Sequence, residues 1–332
     1  MKKHSVAALF LAACMMLGLA SCSGDSEGSS QSQSSEPEQK LEYPVEFENF
    51  VITEKPDKIV SLSPGITELI YEMDYDKQLV GVSDYCDYPE GKMEEYLTCG
   101  SPLEPNFENL KTLKPDLVIT AAPLAEADLI QLQQMDINVL VLPRASTIDA
   151  LKQNYLNLFR VMEGITTGGE KGNAWYADIQ KDLDTVSQKT KAYLSSGGKK
   201  LTAAIVAMTD YTIATGDTLE SKLLEAANLT NIASGYGQWI YPEANWTDFK
   251  PDVIFVDQSI GLEGLQNNEK YKNLDAVKNG RVLEIDMKAF ERQSKRMFDA
   301  FVDMAVFAYE DAFQGAESSA SQSEQPSESS AA

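Results

Sequence analysis

The sequence predicts an α/β protein of two similar lobes, each a parallel-type sheet flanked by helices, bridged by a long rigid helix. Three observations carry this expectation. Short apolar runs alternate with helical-period segments in two series, one beginning at Lys58 and one at Leu201. Strands of that kind, joined by helices, imply parallel sheets covered on both faces. Between the two series, Thr147–Ser195 carries helix signal for most of its length. Finally, Asn109-Leu110-Lys111-Thr112-Leu113-Lys114-Pro115-Asp116-Leu117-Val118-Ile119 is echoed by Asn245-Trp246-Thr247-Asp248-Phe249-Lys250-Pro251-Asp252-Val253-Ile254. Each reads as a short helix, then Lys-Pro-Asp, then a strand.

In chain order, Lys58–Leu62 is an apolar strand, and Ser63-Pro64-Gly65 turns the chain into a helix, where proline suits the first position. Ile66, Leu69, Ile70 and Met73 space a helix over 66–74. Strands follow at Leu79–Ser83, Leu117–Thr120 and Asn138–Leu142, with a helix over Ala125–Met135. In the bridge, Leu151, Tyr155, Leu158, Phe159 and Met162 form one apolar stripe. Gly164 to Gly172 interrupts it, and the helix resumes over Trp175–Leu194. The second series has a strand at Leu201–Met208, extended by Tyr211–Ala214, and a helix at Glu220–Ala227. Strands at Val253–Val256 and Arg281–Ile285 and one closing helix over Ala289–Phe313 complete it. The expected organisation is a first lobe over 43–145, bridging helices over 146–198 and a second lobe over 199–315.

The ends read differently. Lys2 and Lys3 precede an apolar run from Val6 to Ala20, shorter than the ~20 residues a membrane span needs, so residues 1–21 read as an export signal. Leu19-Ala20-Ser21-Cys22 resembles the lipobox of bacterial lipoproteins, which implies lipidation of Cys22 and anchoring outside the cytoplasm, at a cell surface or in a periplasm. Residues 22–42 then form a disordered tether, and the Ser/Glu/Gln-rich 316–332 a disordered tail, because neither buries enough apolar surface to order itself.

Composition excludes several functions. The net charge of −23, from 28 basic and 51 acidic residues, argues against a nucleic-acid partner. The single histidine, His4, leaves with the leader, which excludes a Ser-His-Asp triad, a Cys-His pair and a histidine-bearing zinc site. There is no nucleophile elbow and no Walker loop, so neither an enzyme on this architecture nor a metal centre of the protein's own is expected. Two cysteines remain in the body, Cys86 and Cys99. They either pair as a disulfide or stay as buried thiols.

Five stretches carry a resemblance. They are Lys58-Ile59-Val60-Ser61-Leu62-Ser63-Pro64-Gly65-Ile66-Thr67-Glu68, Leu79-Val80-Gly81-Val82-Ser83-Asp84-Tyr85-Cys86-Asp87-Tyr88-Pro89, the segment Asn106 to Ile119, Ala214-Thr215-Gly216-Asp217-Thr218-Leu219-Glu220, and Phe290-Glu291-Arg292. Together the chain resembles the substrate-binding lipoproteins of ABC importers for ferric siderophores, haem and vitamin B12. The resemblance implies two α/β lobes on a helical backbone, a ligand held between them with little hinge motion, and delivery to a membrane permease and its ATPase. The ligand would bring its own iron or cobalt, and a monomer is the default.

The candidate ligand-binding residues follow. Ser63, Pro64 and Thr215 stand where helices open, and helix starts attract ligand oxygens. Tyr85, Tyr88, Tyr236, Trp239 and Tyr241 offer flat faces to a large organic ligand. By resemblance, Trp239 matches a cleft aromatic of the B12 binders. Arg144, after a strand, and Arg292, with Arg296 near it, suit ligand carboxylate, phosphate or catecholate oxygen, or else an internal salt bridge. The Tyr85 region and Trp239 lean towards a corrinoid, whereas Pro102-Leu103 and Ala121-Ala122 replace aromatics such binders often carry. A haem held by tyrosine stays open. For permease docking the resemblance implies a glutamate on each lobe: Glu108 on the first, and Glu243 beside the matching position on the second.

Overall fold

The computed structural model describes residues 42–47 and 51–314. The export leader over 1–21, lipidation at Cys22, the tether before Glu42 and the tail over 316–332 lie outside the described residues.

A short antiparallel ribbon, β1 (Val45–Glu46) with β2 (Val51–Ile52), precedes the first lobe. That lobe runs β3 (Ile59–Ser61), α1 (Pro64–Glu72), β4 (Leu79–Val82), β5 (Leu97–Thr98), α2 (Phe107–Leu113), β6 (Leu117–Thr120), α3 (Glu126–Gln134) and β7 (Asn138–Val141). The bridge is α4 (Ile148–Glu163) and α5 (Ile165–Ser195). The second lobe runs β8 (Thr202–Val206), α6 (Leu219–Ala226), β9 (Thr230–Asn231), β10 (Val253–Asp257), α7 (Gly261–Asn267), α8 (Asp275–Lys278) and β11 (Val282–Ile285). Three helices close the described residues: α9 (Met287–Arg292), α10 (Lys295–Ala308) and α11 (Glu310–Phe313).

Both larger sheets are parallel throughout. Their strand orders are β5-β4-β3-β6-β7 and β9-β8-β10-β11. In each, the chain steps outward from one central strand, then returns to the centre and steps the other way. The reversal falls between β3 and β6 in the first sheet and between β8 and β10 in the second. The Lys-Pro-Asp echo has one structural purpose in both. Asp116 accepts the backbone N–H groups of Asp57 and Lys58, each at 2.8 Å, just before β3. Asp252 accepts the backbone N–H and the hydroxyl of Thr202, at 2.8 and 2.9 Å, at the start of β8.

Strand side chains alternate between faces, as a two-residue period requires. Ile59, Leu117, Ile119, Ala203, Ile205, Val253 and Phe255 point into one continuous core that also takes in the buried faces of α4, α5 and α10. Val60, Leu62 and Val118 point into a separate outer core of the first lobe, and Ala204, Val206 and Ile254 into that of the second. The lobes therefore share an apolar layer along the bridge, which is the physical basis of a stiff backbone.

The bridge departs from expectation at its glycines. Only Gly164, at φ 87°, breaks the helix. Gly168 and Gly172 lie inside α5, where it crosses α4. A Cβ at Gly168 would fall 2.4 Å from the Phe159 carbonyl oxygen, and one at Gly172 would fall 2.8 Å from Leu156 Cδ2. These glycines permit close helix approach rather than interrupting the helix. At the same turn Glu42 caps α5. Its carboxylate accepts the N–H groups of Thr166 and Thr167 at 3.1 and 3.0 Å, and its main-chain oxygen accepts from Ile165. Because α4 starts just after β7 and runs back along the lobe, Glu42 sits at the N-terminal edge of the first sheet.

Two further expectations are corrected. The closing segment is not one helix. Gln293 takes φ 54° and ends α9, because its side chain pairs with both backbone groups of Ala145 and its carbonyl accepts the Tyr155 hydroxyl at 2.6 Å. Tyr211–Ala214 does not extend β8. Tyr211 turns at φ 77°, and only isolated bridges, Val206 to Ile213 and Thr212 to Ile240, follow. No helix among the described residues is long and apolar enough to cross a membrane.

Candidate functional site

A cavity of about 560 Å³ opens at the C-terminal ends of the first-lobe strands. Its position follows from topology. The loops after β3 and β6 diverge at the reversal point, and a crevice outside the carboxyl ends of the strands results. Ser63, Pro64 and Gly65 line it after β3, Ala121 after β6, and Leu142 to Arg144 after β7. The bridge contributes Leu151, Asn154 and Tyr155. The opposite wall, from the segment following the second sheet, contributes Lys288, Glu291, Arg292 and Gln293. Gly65 is required here, since a Cβ would fall 2.6 Å from the Arg292 carbonyl oxygen.

The walls are tied together by ions. Glu68 of α1 is fully buried and accepts from Arg296 at 2.7 and 2.9 Å and from the Ser294 hydroxyl at 2.5 Å; Arg292 approaches it at 3.5 Å. Asp87 takes Lys288 at 2.9 Å and also Arg292. Burial works to raise the Asp87 carboxyl, but the bonds from Lys288 and Arg292 outweigh it and hold it below the usual range. Arg144 bonds Glu220 of α6 at 2.6 Å and so joins first lobe to second. Glu220 is 1% exposed, whereas the Arg144 side chain is 41% exposed. Burial pushes the Glu220 carboxyl up, against the pull of Arg144.

Of the expected ligand residues, Ser63, Pro64, Tyr85, Arg144 and Arg292 line this cavity. Tyr85 is 71% exposed. The Ser63 hydroxyl is occupied, accepting the Ala121 N–H at 2.8 Å. The other five lie elsewhere. Tyr88 packs beneath the Arg296 guanidinium, 4.2 Å from its ring centre. Tyr241 is a core residue, 3% exposed and edge-on to Trp246 and Phe249. Tyr236 packs edge-on to Tyr241, and its hydroxyl takes the Asn245 amide at 2.6 Å. Trp239 is half-buried against the shared core, and its backbone N–H donates to the Thr215 hydroxyl at 3.0 Å. Thr215 is fully buried in the turn before α6, whose cap is Thr218 instead. The second-lobe ring cluster builds that lobe's own core, because its edge-on partners are one another.

Cys86 and Cys99 are free thiols, not a disulfide. Cys86 packs against the shared core, 3.1 Å from the Thr67 hydroxyl, while Cys99 points into the first lobe's outer core on the other side of the sheet. Burial pushes both thiols up, Cys99 to about 11.

The sequence reading passed over Asp87, Lys288, Glu291, Gln293, Asn154 and Tyr155 as site residues. Tyr155 sat in an apolar stripe and is indeed buried, yet it forms part of the cavity wall. A polar ring inside a helical apolar stripe was the available signal. Glu108 stands exposed in the first turn of α2. Glu243 stands exposed at the start of the 3-10 helix Glu243–Asp248, where it accepts the Tyr211 hydroxyl at 2.8 Å.

A crevice at the reversal point of one of two like sheets, braced by a helical strut and walled by paired charges, defines a two-lobed solute-binding protein. The chain belongs to the periplasmic binding protein family, whose model matches residues 59–289. It is 26% identical over 320 residues to the uncharacterized ABC transporter substrate-binding lipoprotein YvrC of Bacillus subtilis, covering 92% of this chain and 97% of that one. It is 21% identical to the Fe(3+)-citrate-binding protein YfmC of the same organism, over 88% of this chain and 91% of that one. Among solved structures, the periplasmic vitamin B12 binding protein BtuF of Vibrio cholerae superposes with a TM-score of 0.60 at 22% identity, over 77% of this chain and 98% of its own.

Proposed function

We propose that this protein is the extracytoplasmic solute-binding component of an ABC importer, tethered by lipid at Cys22. In this reading it captures a metal chelate or corrinoid, which carries its own metal, and presents it to a membrane permease energised by an ATPase. The observation that carries the reading is the cavity at the strand reversal, walled on one side by the first lobe and bridge and on the other by the segment after the second sheet. Family membership and relatives named for iron citrate and vitamin B12 support it. In delivery, Glu108 and Glu243 set orientation on the permease more than affinity, since exposed ion pairs are each worth about 0–1 kcal/mol.

Trp175 is the reporter that tests capture. Its ring lies 5.0 Å from that of Tyr155 in the cavity wall. Titration with corrinoid, ferric chelates and haem is expected to quench its fluorescence with a dissociation constant of about 1 μM or tighter. Absence of quenching by every member of the panel would overturn the reading. Haem is a second reading. Tyr85 favours it, an exposed phenol on the cavity whose hydroxyl makes no hydrogen bond among the described residues. Haem alone binding, with a tyrosinate absorption band lost in Tyr85→Phe, would establish it.

A further inference from the structure

The cavity wall holds three cations, Arg144, Lys288 and Arg292, which taken by themselves would suit an anion. The structure reverses this, because every one of them is already paired, and the two arginines are paired with buried carboxylates. Arg144 holds Glu220 at 2.6 Å, Lys288 holds Asp87 at 2.9 Å, and Arg292 is shared between Asp87 and Glu68. Glu68 and Glu220 are 0% and 1% exposed, so neither can follow its partner into the cavity. An anion that stripped Arg144 or Arg292 would leave a buried carboxylate unpaired, which is strongly unfavourable.

The acids also outnumber the cations. Behind the wall, Arg296 is held by Glu68 and by Asp286. On the wall itself, Glu291 is exposed and makes no ion pair among the described residues. It repels an anion and accepts N–H donors. Arg144 bonds Glu220 and the Phe290 carbonyl through one nitrogen, Nη2, which leaves donors of its half-exposed guanidinium for neutral oxygens. An amide or hydroxamate carbonyl can take those donors without displacing Glu220.

Building on the importer reading, we propose that the cavity selects chelates of zero or positive net charge fringed with amide-type groups, and rejects polyanionic ones. A corrinoid with carboxamide arms and a ferric tris-hydroxamate fit this description. A ferric tris-catecholate and a ferric citrate complex do not.

The test is calorimetric titration of the purified protein with four probes: cyanocobalamin, a linear ferric tris-hydroxamate, a ferric tris-catecholate and ferric citrate. The expected result is that the better of the first two binds at least about tenfold tighter than either anionic probe. An anionic probe binding equally or more tightly overturns the charge selection and leaves the importer reading standing. No binding by any of the four probes overturns the charge selection, and failure of haem as well overturns the importer reading with it. Two variants probe the cause. Glu291→Gln removes an exposed acid and is expected to improve the anionic probes by about threefold or more relative to the neutral ones. Asp87→Asn releases Lys288 and is expected to shift the ratio in the same direction. Ratios unchanged in both variants would overturn the claim that committed charges set the selection.

Discussion

Glu68 offers the sharpest test of how the two halves are held. It is fully buried on α1, and it gathers Arg296, Arg292 and Ser294 from the junction of α9 and α10. Glu68→Ala leaves two guanidiniums beside each other, with side chains only 10% and 30% exposed. Breaking a buried pair by removing one partner costs about 3–5 kcal/mol. Here Asp286 still serves Arg296 at 3.2 Å and Asp87 still serves Arg292, so the lower figure, about 3 kcal/mol, is expected. For a body of this size that corresponds to roughly 6–12 °C in melting temperature. Urea unfolding followed by circular dichroism and by tryptophan fluorescence measures it. The double variant Glu68→Leu, Arg296→Met should recover part of the loss, because an apolar replacement leaves no stranded charge. A loss below about 1 kcal/mol, the range of exposed pairs, would refute the reasoning.

Three other outcomes are expected. Gly168→Ala should lower stability by about 1–3 kcal/mol, since its methyl would meet the α4 backbone; an unchanged thermal melt would contradict the close crossing. Burial pushes the Glu72 carboxyl up to about 7 although it caps α10 through the Lys295 N–H. A raised carboxyl favours the folded state when protonated, so its contribution is present in the ordinary carboxylate range and is lost as pH rises through about 7. Glu72→Gln should flatten that part of the melting temperature against pH curve, and parallel curves for the two proteins would be the contrary result. Glu108→Arg should leave ligand affinity intact and abolish uptake by cells; equal loss of both would remove its docking role.

The fold was legible where local pattern decides it. Apolar runs such as Ile59–Leu62 and Val253–Val256 can only be buried strands when helices separate them, and the repeated Lys-Pro-Asp marked equivalent places in two sheets. Glycine was ambiguous. Gly164 and Gly168 look alike in sequence, but one breaks a helix and the other lets two helices touch. The site was less legible, because long-range pairing decides it. Arg144 reads equally as a ligand contact or a salt bridge until Glu220, 76 residues on, is found beside it. Asp87 meets Lys288 across 201 residues, which no local spacing reveals. Tyr241 and Tyr85 are the same residue type in similar loops, yet only the ring cluster around Trp246 makes one core and leaves the other open.

The seat of Glu42 fixes a direction. The chain enters the body at the base of the first sheet, and the cavity opens at the top of that sheet, so whatever precedes Glu42 joins the lobe at the edge away from the mouth and leaves the mouth clear for solute.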